Sequence, residues 1–140
     1  MTTDAQRIVK IYYDRRYSKA AFVDWRCLES SWQNNRCQQL RHYALKPCYY
    51  SRWFVRKENE ECFELADVDS CSERQAISFI NGRHRVSVLK EKMAIIPLAY
   101  EEEDTLKFFK KTGAFLRNAD YGEEFSIPNL PVLSIDELRK

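Results

Sequence analysis

Arg83, His84 and Arg85 follow Asn81 and Gly82 in the run FINGRHRVSVL, and together they have the chemistry of an anion site. A guanidinium offers a planar fork of donors that matches phosphate oxygens, and an imidazole adds a group whose charge responds near neutral pH. If a helix begins here, its unpaired amides and the positive end of its dipole favour the same ligand. Gly82 lets the backbone approach that ligand closely, because no Cβ stands in the way. His84 is placed to donate a proton or to hold the turn by bonding a backbone carbonyl. A plainer description also fits, in which Arg83 and Arg85 are solvated surface charges and His84 is a hydrogen-bonded core residue.

Residues 76–100, AISFINGRHRVSVLKEKMAIIPLAY, read as the unit that positions this turn. Residues 76–80 have strand composition, and Asn81 is suited to cap the helix that follows. Val86, Leu89 and Met93 recur at helical spacing, and residues 94–100 return as an apolar strand. Pro97 suggests an edge or a bulge in that strand. If both strands lie parallel in one sheet, the crossover between them is right-handed.

On these residues the chain resembles the ParB/sulfiredoxin-like superfamily, whose signature is GRHR, then an apolar helix, then an Ile-Pro-aliphatic strand, here IIPL. The likeness is to plasmid fertility-inhibition factors in particular, which often carry Asp or Asn before GRHR, and about 20 residues carry it. It implies that Asn81, Gly82, Arg83, His84 and Arg85 bind nucleotide or DNA phosphates. It also implies NTPase or nuclease activity with Mg²⁺ and a nucleoside triphosphate, in the service of restraining conjugative DNA transfer. A non-enzymatic inhibitor that binds DNA or a conjugation-system coupling protein is the alternative. Sulfiredoxins place a catalytic Cys immediately before this His; Arg83 stands there, so sulfinic-acid reduction is not expected. A weaker match is the strand and turn FVDWRCLESSW, residues 22–32. Related folds bring an acid to the phosphate site from such a unit, which makes Glu29 the first catalytic candidate and Asp24 the second, each being otherwise a surface carboxylate. Asp67, Asp69 and Glu73 are further acids upstream of the turn.

The rest of the chain sets bounds. At 140 residues with 44% hydrophobic content it suits one α+β domain, residues 1–140, with a mixed sheet of four to six short strands and about three helices. Strands are expected over 7–13, 49–55 and 62–68, a loop at 67–70, and a helix from 105 to 117 with Leu106, Phe109 and Leu116 inward. EEED at 101–104 complements that helix's dipole, and Ser134 with Glu137 forms a capping box for a last turn. Five cysteines, none nearer another than nine residues, and two histidines give no zinc spacing, so free thiols are expected and no metal site is assigned. No apolar run reaches bilayer length and no secretory signal is visible, so the expectation is a cytoplasmic protein with no membrane contact.

Charge is polarised. Residues 1–57 hold 12 Lys/Arg against four Asp/Glu, and residues 58–140 hold 11 against 17. Eleven of the 19 aromatics also fall in the basic half. Bases stack on rings while cations hold phosphates, so Arg15, Arg16, Arg36, Arg41, Arg52, Arg56 and Lys57 form a candidate nucleic-acid patch. Core packing of the aromatics with scattered surface charge is the competing description.

Overall fold

The computed structural model describes residues 6–34 and 48–134, and within them the chain is α+β. β1 (Gln6–Tyr12) leads to β2 (Lys19–Asp24), a 3₁₀ turn (Trp25–Cys27) and α1 (Glu29–Gln33). The aromatic segment gives β3 (Tyr49–Tyr50), a second 3₁₀ turn (Ser51–Trp53) and the hairpin β4 (Phe54–Lys57) to β5 (Glu60–Glu64). β6 (Asp67–Cys71) and β7 (Ala76–Asn81) precede α2 (Arg83–Leu89) and β8 (Ile95–Tyr100). α3 (Glu103–Lys111), β9 (Phe115–Ala119), β10 (Glu124–Pro128) and β11 (Val132–Leu133) follow. The strands form two mixed sheets, β10-β1-β5-β4 and β7-β6-β8-β2-β9, and β3 pairs with β11.

The single sheet expected from sequence is therefore two sheets and a small pair, joined by one core. Val9, Phe63 and Ile127 of the four-stranded sheet share a buried cluster with Val23, Ile96 and Leu98 of the other. α2 adds Val86 and Leu89 to it, and α3 adds Phe108 and Phe109. Each such side chain stabilises the fold by about 1.5–3 kcal/mol when fully buried. β2 lies between β8 and β9 and is covered on both faces, which explains its unbroken apolar run, AAFV.

Several expectations are corrected here. Residues 67–70 form strand β6 rather than a loop: Val68 is buried, and β6 pairs with both β7 and β8. The helix expected over 105–117 stops at Lys111, where Gly113 takes φ +81° and releases the chain into β9. Leu116 consequently faces solvent, while Phe109 is fully buried. Pro97 sits in a strand that is interior in the sheet order, yet at a stretch where only β2 pairs with it among the described residues, which is a local edge. β6 reaches β8 only at Ala99 and Tyr100, so Pro97 lies outside that ladder. β7 and β8 run antiparallel, because β6 stands between them, antiparallel to β7 and parallel to β8. The capping box at Ser134 and Glu137 extends outside the described residues. No helix among the described residues is long and apolar enough to cross a membrane.

Candidate functional site

β7 delivers Asn81, and α2 starts two residues later. Gly82 between them holds φ +88°, a left-handed conformation that glycine reaches without strain. A Cβ at Gly82 would lie 2.6 Å from the Ala66 Cβ, 2.7 Å from the Ala66 Cα and 2.7 Å from Arg85 Nη2. Its glycine is thus demanded by the chain conformation and by Ala66 and Arg85, and Gly82 also lines the cleft described below. Asn81 is not a helix cap. Gly82 is the N-cap residue, and the Asn81 Oδ1 accepts a hydrogen bond from Arg85 Nη2 at 2.8 Å.

Arg85 is an interior cation, against the expectation of an exposed phosphate ligand. It is 6% exposed, its Nη1 stands 3.4 Å from Glu64 Oε1, and its guanidinium lies 6.0 Å from the Trp53 ring centre. Burial pushes its pKa below the usual arginine value, Glu64 opposes that, and Arg52 adds to it. Its buried Nε has no hydrogen-bond partner among the described residues. Among the described residues this buried charge has one carboxylate, Glu64, at a long 3.4 Å and the neutral Asn81 amide, so it is compensated only in part, which is costly in a low-dielectric interior.

An open cleft of about 540 Å³ lies beside Arg85, which contributes to its lining. Arg83 and His84 line it from the start of α2, Arg52 and Trp53 from the 3₁₀ turn before β4, and Glu64 from the end of β5. Among the described lining residues three arginines face one carboxylate. Burial, then Arg83 and then Arg52 lower the pKa of His84 below 6.5, so at neutral pH the imidazole is uncharged. It is a poor proton donor in that state, and among the described residues no carbonyl accepts from it, so neither expected role of His84 is seen.

The expected catalytic acids lie elsewhere and are engaged. Glu29 accepts from Lys90 Nζ at 2.5 Å, from the Trp25 indole and from Gln33 Nε2 at 3.2 Å. Burial raises its pKa, but these bonds outweigh burial and hold it below the usual value. Asp24 accepts from the Arg26 backbone N–H at 3.1 Å and from its Nη2 at 2.7 Å, capping the 3₁₀ turn. Neither is among the residues that line the cleft.

The candidate nucleic-acid patch divides. Arg52 joins the GRHR cleft, while Arg15, Arg16 and Lys57 gather at a separate cleft near Tyr12 and Tyr121. Arg56 is exposed on β4, where its Nη1 donates to the Asn59 carbonyl at 3.4 Å. Arg36 and Arg41 lie outside the described residues. Cys27, Cys62 and Cys71 are free thiols, and no three His, Cys, Asp or Glu side chains converge on a metal position among the described residues.

No family model, curated protein or solved structure matches this chain. The likeness to ParB/sulfiredoxin-like proteins thus stands on the GRHR turn and the two strands flanking it. Sequence reasoning did not single out Glu64 or Trp53, and it grouped Arg52 with the N-terminal basic residues and not with the GRHR turn, whose cleft it lines. Nothing local marks any of the three, since β5 and the 3₁₀ turn reach α2 only through tertiary packing.

Proposed function

We propose that the cleft over Arg85 binds the phosphate groups of a nucleotide or a nucleic acid, as in the ParB/sulfiredoxin-like proteins that the GRHR turn resembles. The observation that carries this is the under-compensated guanidinium of Arg85, with Arg52 and Arg83 on the same cleft. An anion seated there supplies the charge that Glu64 at 3.4 Å supplies incompletely. Arg85 acts from below as a buried positive charge, and Arg52 and Arg83 are the side chains that contact the ligand.

Mg²⁺ held by the protein does not fit these residues. The described lining offers one carboxylate, Glu64, which already faces Arg85. No catalytic step is therefore derived through a metal. With Asp24 and Glu29 also bound to Arg26 and Lys90, the arrangement favours binding without turnover. That corresponds to an inhibitor of a DNA-transfer component, such as a conjugation coupling protein, rather than an NTPase or nuclease.

The test is calorimetric titration of the intact protein with pyrophosphate and with ATP, beside the variant carrying Arg52→Ala and Arg83→Ala. Loss of binding by tenfold or more, at an unchanged melting temperature, is expected; tenfold corresponds to about 1.4 kcal/mol, within the range for hydrogen bonds to charged groups. Equal affinity in the variant removes the phosphate reading. Phosphate release or plasmid nicking that Arg83→Ala abolishes would reinstate catalysis.

A further inference from the structure

The GRHR cleft continues past Glu64. Glu64 and Asn81 also line a hollow of about 340 Å³, and Tyr12, Tyr13 and Asp14 carry that hollow into the separate cleft of about 770 Å³. β5 contributes to both ends, with Glu60 at the far cleft and Glu64 at the near one, a span of about 13 Å at 3.3 Å per residue.

Four of the chain's eight tyrosines, Tyr12, Tyr13, Tyr17 and Tyr121, line the far part of this groove. None of the four is fully buried; Tyr13 packs on the Ile11 and Phe22 cluster, while Tyr17 is 66% exposed. Tyr121 meets Tyr13 edge-on at 5.7 Å between ring centres. Arg15 lies 4.2 Å over the Tyr121 ring and Lys57 lies 5.4 Å over Tyr12. Lys10 and Arg16 in the same cleft are paired with Glu60 and Asp14. Arg15 and Lys57 are exposed, and neither has a carboxylate partner among the described residues.

Between the two cationic ends the groove is acidic, lined by Glu64, Asp67 and Glu101. Carboxylates repel phosphates, so a bound polyanion must touch down at the ends and turn uncharged parts toward the middle. A duplex presents unbroken charge along its length. A single strand can splay its bases from the backbone and stack them on aromatic rings. We propose that this groove takes single-stranded nucleic acid, its phosphates at the Arg52–Arg83 end and at the Arg15–Lys57 end, and its bases against the tyrosines. The inference rests on the phosphate reading for the first end only, so the two can fail separately.

The experiment measures fluorescence anisotropy of labelled oligodeoxyribonucleotides, from a dinucleotide to a dodecamer, with duplex dodecamer as competitor and pyrophosphate titrated in parallel. Affinity is expected to rise with length until both ends are spanned. The variant with Arg15→Ala and Lys57→Ala, both at exposed positions, should bind the dodecamer about tenfold more weakly and with a shallower salt dependence, as for the loss of two phosphate contacts. Its pyrophosphate affinity should be unchanged. Tyr17→Ala should weaken the dodecamer in the same direction. Wild-type dodecamer affinity in the double variant overturns the groove, as does equal competition by duplex or no dodecamer binding at all. If pyrophosphate fails to bind wild type while the dodecamer binds and weakens in the double variant, the phosphate reading falls and the tyrosine end stands.

Discussion

Arg83 and Arg85 are two residues apart on α2 and both line the cleft, but they differ in burial and in partners. Arg85 turns inward to Asn81 and Glu64, and Arg83 turns to the cleft. Removing Arg85 would take out a buried side chain together with its bonds to Asn81 and Glu64, so its substitution cannot separate folding from binding. His84 offers a cleaner probe. Burial and the neighbouring arginines hold its pKa below 6.5. A bound anion opposes both arginines and raises it, so binding takes up a proton. Affinity for sulfate, which does not titrate in this range, should therefore rise as pH falls from neutral, and level off below the free-state pKa. His84→Asn should flatten that dependence; an unchanged profile in the variant would remove His84 from the site. Without ligand the sign is reversed for stability. The unfolded chain takes a proton first, so the contribution of His84 is present above 6.5 and lost as pH falls through the depressed value.

At the scale of elements, Glu29 is a clamp. It begins α1 and ties that helix to Lys90 at the end of α2, while the Trp25 indole donates to the same carboxylate. Glu29→Ala should lower stability by about 1 kcal/mol, since the pair is partly exposed, at 35% and 20%. Pyrophosphate affinity should stay at the wild-type value, as calorimetry can read. A fall in affinity with unchanged melting would return Glu29 to the site. Elements whose pattern was local were legible in sequence: β7 followed from the strand composition of residues 76–80 and α2 from the spacing of Val86 and Leu89. The end of α3 was not, because a left-handed glycine and an inward Phe109 fit one long helical stripe as well as a helix stopped short. β6 was missed for another reason: its acidic, serine-containing sequence becomes strand only between β7 and β8.

For the whole molecule, the cationic turn could be read from four adjacent residues, but its cleft could not. Arg52 and Glu64 arrive from the hairpin side and Arg85 retreats inward only because Gly82 lacks a Cβ. The same tertiary convergence bears on whether the two sheets fold as one body. Val9, Phe63 and Ile127 on one side and Leu98 and Phe109 on the other belong to a single buried cluster. A shared core makes each sheet's exposed face unfavourable without the other, so unfolding should be one cooperative transition, as is usual below about 150 residues. Ile127→Ala should cost about 2–5 kcal/mol and Phe109→Ala about 3–5 kcal/mol, and each should move the transition seen from both sides. Trp53 reports on the four-stranded side through Tyr49 and Phe63, and Trp25 and Trp32 pack against Phe79 of the five-stranded sheet. Single-tryptophan variants melted in denaturant should give coincident midpoints for the two sides. Midpoints that separate, or that respond only to the substitution in their own sheet, would show two independently folding units.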